Sequence, residues 1–110
     1  MIKVKHGEGV QYDAPAHFGE YGILKFTKDQ TKNVIVSYTY FLPNGGCEMG
    51  PAPVERVYIV SKGSITVSGD NSEAHVLDQG DMLYIAPGEN RDVKVNNGQA
   101  AEVIVLVVPN

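Results

Sequence analysis

A single cysteine, Cys47, is the whole thiol complement of this 110-residue chain, so no internal disulfide can staple it. Histidine is nearly as scarce, present only at His6, His17 and His75. No apolar run approaches the roughly 20 residues needed to cross a bilayer as a helix. No N-terminal stretch combines a charged start with an apolar core in the manner of a signal peptide. A membrane partner is therefore not expected, and a cytoplasmic location is. Lysine and arginine total nine, are scattered, and leave a net charge of −4. Phosphate binding needs a concentrated basic patch, so nucleic acid is not an expected partner. Internal repeats, low-complexity tracts, linkers and helical periodicity of useful length are all missing.

What is present is a β vocabulary. Twelve glycines and six prolines punctuate short apolar stretches. The length suits one domain, 1–110, able to bury a core without metal or disulfide support. Ile2 to Lys5 alternates like an edge strand, and Gln11 to Glu20 reads as an irregular arm. Gly22 to Thr27 alternates again, and Thr27 to Asn33 is a polar turn. Asn33 to Leu42 is a long strand rich in β-branched and aromatic residues. Pro43-Asn44-Gly45-Gly46 is expected to end it, and Cys47 to Pro53 to be a loop. Glu55–Val60 and Ser64–Ser68 read as a hairpin about Ser61-Lys62-Gly63. Ala74–Leu77, Met82–Ala86, Asp92–Val95 and Val103–Val108 complete about nine strands, the pattern of an all-β sandwich or barrel.

One stretch narrows this further. Gly80-Asp81 opens a turn into Met82–Ala86, which Pro87-Gly88 stops before Glu89-Asn90-Arg91 enters the next strand. It resembles the second sequence motif of the cupins: glycine, five residues, proline, any residue, glycine, two residues, histidine, three residues, asparagine. Gly80 and Gly88 fit. Ala86 stands at the proline position, with Pro87 beside it. Arg91 stands at the histidine position, and Asn96 comes one residue late. The first cupin motif is glycine, five residues, His-any-His, three or four residues, glutamate, six residues, glycine. It is matched by Gly45 to Gly63, with Glu55 as the glutamate if the turn carries one extra residue, or Arg56 in its place if it does not. Glu55 is the favoured choice. The histidine pair falls on Glu48 and Gly50, or on Met49 and Pro51.

The resemblance implies a cupin double-stranded jelly-roll barrel over 34–108, in the manner of small RmlC-like proteins. Residues 1–33 then form an N-terminal arm and edge strands. Such arms often exchange between subunits in this family, so a homodimer is expected. The usual three-histidine, one-glutamate metal site cannot form, because a guanidinium cannot ligate a cation. No cofactor is therefore expected, with a divalent metal on Glu48, Glu55 and His17 kept as an alternative.

The resemblance places Glu55 and Arg91 at one cavity. They form either a structural ion pair or an acid–base carboxylate beside an anchor for an anionic substrate. Glu48 is a second candidate carboxylate, at a former ligand position, unless it is merely an exposed loop residue. His17, on an arm that can close the barrel, is a candidate proton shuttle or a surface histidine. Tyr38 and Tyr40 share one face of their strand, and either that face or the face of Thr39 and Phe41 lines the cavity. Tyr84 and Tyr58 are further candidates to contact substrate. Cys47 has no adjacent cationic or histidine neighbour and is not expected to act as a nucleophile.

The expected function is binding of a small, anionic molecule. It is coupled to metal-independent acid–base chemistry of the isomerase, lyase or decarboxylase type on an organic acid or carbonyl compound. The alternatives are a non-catalytic binding or sensing barrel, and a metal-dependent cupin with atypical ligands.

Overall fold

A computed structural model describes residues 1–109 of the chain. Nine strands form, all paired antiparallel: β1 (Val10–Tyr12), β2 (His17–Phe26), β3 (Ile35–Pro51), β4 (Arg56–Lys62), β5 (Ser64–Ser68), β6 (Ala74–Asp78), β7 (Met82–Ile85), β8 (Asn90–Val95) and β9 (Ala101–Val107). The sheet runs β6-β5-β8-β3-β9-β4-β7, with β2 and then β1 added on β3. This is an all-β jelly-roll barrel.

Strand β3 holds the two halves together, and it corrects the expected break at Pro43. Its first part pairs with β9 from Ile35 to Phe41, and its last part pairs with β8 from Gly46 to Pro51. The Pro43-Asn44-Gly45-Gly46 signal marks a bend between two sheets, not an end. On β2, Phe18 to Glu20 spans the same interval as Phe41 to Gly46 on β3, so β3 bulges where it turns. Glycine is required at the crossing. A Cβ on Gly45 would collide with the Gly19 carbonyl, and a Cβ on Gly46 with the Val93 carbonyl.

Three other expectations change. β4 and β5 do not form a hairpin: β4 pairs with β7 and β9, whereas β5 pairs with β6 and β8. Gly63, at φ +82°, swings the chain from one sheet to the other. Ile2 to Lys5 forms no strand. Lys5 starts a turn closed by Glu8, and the Lys25 ammonium donates to the carbonyls of Lys5, His6 and Glu8. Finally, the irregular arm contains β1 and the start of β2, joined through Pro15 and Ala16.

The core lies between the sheets and is led by Val60, Ile65, Val93 and Val103, each almost wholly buried. Burial of such a side chain contributes about 1.5–3 kcal/mol. Outward, one cross-strand row is entirely apolar: Ile23, Tyr38, Ile104, Ile59 and Met82 stand opposite one another across five strands. Beside it Tyr40 stacks on both Tyr38 and Tyr21, with centroids 4.9 and 4.8 Å apart.

Candidate functional site in the barrel

Alternation along the strands decides what the barrel encloses. β3 turns Ile35, Ser37, Thr39 and Phe41 inward, β4 turns Arg56 and Tyr58, β8 turns Arg91 and Val93, and β9 turns Val103, Val105 and Val107. They bound a cavity of about 510 Å³. The arm contributes Tyr12 and the Ala14–His17 turn, and Glu48, Pro51 and Pro53 form a solvent-exposed border.

Register sorts the walls into layers. Arg56, Val107 and Ile35 face one another across β4, β9 and β3; next come Tyr58, Val105 and Ser37; then Val60, Val103 and Thr39. Successive layers are two residues apart, about 7 Å along the strands.

Arg91 is 8% exposed and is the only charged residue in the buried class among the described residues. Its Nε donates to the Tyr58 hydroxyl at 3.3 Å and a terminal nitrogen donates to the Gly50 carbonyl at 3.1 Å. Arg56 donates through Nε to the Val54 carbonyl at 3.3 Å. Among the described residues neither guanidinium has a carboxylate partner; the ion pairs are Lys62–Glu102 and His75–Glu73, both elsewhere. Two cations thus face one cavity, each with donor capacity left over.

His17 stands with them. Its Nδ1 lies 2.7 Å from the Pro15 carbonyl, which makes Nδ1 the protonated nitrogen and leaves Nε2 as the basic one. The ring stacks over Phe41, with centroids 6.4 Å apart. Burial holds its pKa below the ordinary 6.5. The Pro15 hydrogen bond opposes this, and the charges of Arg91 and Arg56 reinforce it. Burial thus favours the neutral form of the imidazole.

Of the residues expected at the site, the cavity brings together Arg91, His17, Glu48 and Tyr58. Glu55 is corrected: it lies on the outside and accepts a hydrogen bond from the Tyr84 hydroxyl at 3.0 Å. Arg56 takes the inward position. The six residues between Arg56 and Gly63 are the spacing of the cupin pattern without any insertion, and that was the signal in the sequence. No Glu55–Arg91 pair forms. Tyr84 is 57% exposed, and Tyr38 and Tyr40 lie on the outer face, where Tyr38 bonds to Ser61 Oγ at 2.6 Å. The inner face is that of Ser37, Thr39 and Phe41. Cys47 is buried outside the cavity lining, and burial pushes its thiol pKa up, against the pull of Arg91 and Arg56. The thiol is a packing group.

The donor set does not suit a metal. Arg56 and Arg91 occupy two of the positions that the cupin pattern gives to ligands, and both are cations. Among the described residues, no three histidine, cysteine, aspartate or glutamate side chains gather as a ligand group. With Glu55 turned outward, the set of Glu48, Glu55 and His17 is not assembled either.

Comparison with known proteins fits this architecture. No family model matches the chain. It is 30% identical over 110 residues to the beta-D-galactosidase Rv1717 of Mycobacterium tuberculosis, covering 97% of this chain and 93% of that protein. Among solved structures, the cupin-like protein of Thermotoga maritima superposes with a TM-score of 0.81 at 17% identity, covering 96% of this chain and 81% of that one. The RmlC-like cupin of Shewanella frigidimarina gives 0.78 at 15% identity, covering 97% and 89%. The chain has the cupin fold. The polyketide cyclase RemF of Streptomyces resistomycificus shares the fold as well, with a TM-score of 0.82, 17% identity, and coverage of 98% and 80%. In this fold two arginines and a hydrogen-bonded tyrosine face the cavity.

Proposed function

We propose that this cupin binds a small organic acid or carbonyl compound in the barrel and moves a proton on it without a metal. The observation that carries this is an imidazole, His17, whose Nδ1 is engaged by the Pro15 carbonyl, sharing one cavity with two guanidinium groups that have no carboxylate partner among the described residues. In this reading His17 Nε2 takes the proton from the carbon next to a carbonyl. The electron pair moves onto the carbonyl oxygen, and the oxyanion is held by Arg91 and Arg56. The proton then returns to another carbon, or a leaving group departs. In this reading Glu48, at the solvent border, relays the proton. The test is exchange of solvent deuterium into a panel of enolisable keto acids, followed by NMR. Protein-dependent exchange is expected with some members of the panel. No exchange with any would reduce the cavity to a binding site.

Glycoside hydrolysis is the second reading, favoured by the name of the mycobacterial relative. That chemistry ordinarily uses a pair of carboxylates flanking the scissile bond. Glu48 is the one carboxylate among the described residues that line the cavity. Release of nitrophenol from para-nitrophenyl β-galactoside, lost in Glu48→Gln, would favour it over proton transfer.

We also propose that the protein is a homodimer joined through the outer apolar row of Tyr38, Ile104, Ile59 and Met82. The row carries no charge, so two copies of a chain with net charge −4 meet there without local repulsion. A sheet face of this kind suits an isologous contact. Analytical ultracentrifugation is expected to give a dimer that Ile59→Lys converts to a monomer. A wild-type monomer at micromolar concentration would overturn the proposal.

A further inference from the structure

Tyr58 turns inward from β4, lines the cavity and is 4% exposed. Its hydroxyl accepts from Arg91 Nε at 3.3 Å. A guanidinium has donors only, so the direction of this bond is fixed and the phenol keeps its own proton to donate. Among the described residues the hydroxyl has no second hydrogen-bond partner. A hydroxyl that accepts from Nε must also turn its proton away from the guanidinium. The guanidinium is held from both sheets, by Tyr58 on β4 and, at 3.1 Å, by the Gly50 carbonyl on the last part of β3. These bonds use Nε–H and one terminal N–H, and the remaining N–H groups are left for a ligand.

We infer that Tyr58 is an oxyanion donor: its O–H and a terminal N–H of Arg91 hold one ligand oxygen, the oxygen that gains charge when the proton leaves the neighbouring carbon. This deepens the proposed function and rests on its reading of Arg91 as a holder of that oxyanion. Accepting from a cation polarises the phenol and makes its proton a stronger donor. The donor is also in place before the charge develops. The ring is packed in the core and its hydroxyl is fixed by a guanidinium that is itself held at two points, so little reorganisation accompanies the reaction. The phenol donates a hydrogen bond and keeps its proton; the proton that leaves carbon goes to His17.

The probe is oxalate, whose adjacent charged oxygens copy the enolate of a 2-keto acid. The readout is the carbon-13 resonance of the Tyr58 ring carbon that bears the hydroxyl, assigned by replacing the tyrosines one at a time. Oxalate should shift that resonance in the wild-type protein. Tyr58→Phe keeps the ring and should weaken oxalate binding about 10–100-fold, as for a hydrogen bond to a charged group. In deuterium exchange it should lower the rate at saturating substrate about 10²–10³-fold, with KM little changed. A tyrosine that only props Arg91 would instead raise KM and show no shift with oxalate, and that result would overturn the inference. So would unchanged oxalate affinity in Tyr58→Phe, or no binding of oxalate at millimolar concentration. The two proposals fail separately. Oxalate binding with a shift at Tyr58, but no exchange on any keto acid, leaves the oxyanion donor standing and removes proton transfer. Exchange at an equal rate in Tyr58→Phe and wild type does the opposite.

Discussion

Replacing His17 with glutamine is expected to lower the rate of deuterium exchange by about 10²–10⁴-fold, the usual contribution of a positioned general base. Glutamine retains a donor for the Pro15 carbonyl but offers no basic nitrogen. The effect should therefore fall on the rate at saturating substrate, with affinity nearly unchanged, because the arginines hold the anion. The wild-type rate should fall as pH drops through the pKa of His17, which burial, assisted by Arg91 and Arg56 and opposed by the Pro15 hydrogen bond, sets below 6.5. Glutamine should erase that limb. An unchanged limb in the variant would assign the base elsewhere, with Glu48 the next to replace.

The same ring shapes stability against pH. A histidine whose pKa is depressed by folding binds its proton more readily in the unfolded chain. Its contribution is fully present above pH 6.5 and is lost as pH falls through the folded-state value. Glu20 has the opposite sign. Burial raises its pKa above 4.5, against a hydrogen bond from Ala14, so its contribution is present below pH 4.5 and is lost as pH rises through the folded-state value. The difference between wild type and His17→Gln isolates the histidine. That difference should narrow on acidification. A difference independent of pH would mean that the ring titrates normally.

The largest structural effect is expected at the crossing of β3. Gly46→Ala should cost about 3 kcal/mol or more, the upper end for forcing an atom into a filled site. For a chain of this size that corresponds to a fall of roughly 12 °C or more in Tm. The added Cβ meets the Val93 carbonyl, with the Phe18 ring 3.1 Å away on the other side. The carbonyl cannot yield easily, because Gly46 is paired with Phe18 on β2 and with Lys94 on β8. Moving β8 would also displace Arg91, which stands opposite Gly50 on the same pairing. The variant should therefore lose Arg91-dependent ligand affinity along with stability. Gly50→Ala is the control, since nothing lies within 4 Å of a Cβ there. Thermal unfolding of the two variants should separate them clearly. Equal melting temperatures would show that the crossing can relax.

Much of the barrel was legible because its signals are local. Ser64–Ser68 is a strand at the expected bounds, and Met82 and Val103 lie on strands within a residue or two of those expected. Arg91, drawn from a strand–turn–strand pattern, is indeed buried in the cavity. The misreadings share a cause. The Pro43–Gly46 cluster has the composition of a loop, and only the need to carry one strand between two sheets makes it a bend with glycine at the crossing. Ser61-Lys62-Gly63 has the composition of a hairpin turn, and only the packing of the sheets sends β4 and β5 apart.

The choice of face was the harder problem. Period-two alternation divides Ile35–Leu42 into two sets, and the sequence leaves open which of them lines the cavity. The barrel instead keeps the small hydroxyl residues inside and stacks Tyr38 and Tyr40 outside. At Glu55 and Arg56 the same one-residue ambiguity exchanges a carboxylate for a second guanidinium, and with it the chemistry of the site.

The sequence by itself determined most of the strands, the jelly-roll fold and the lack of histidine at the ligand positions, because period, turn chemistry and motif spacing are properties of neighbouring residues. Tertiary structure alone decided that Arg56, Ser37, Thr39 and His17 meet Arg91 across one cavity. Inside and outside are relations between strands distant in the chain. A one-residue shift in which side of a strand faces its partners reverses every side chain on it.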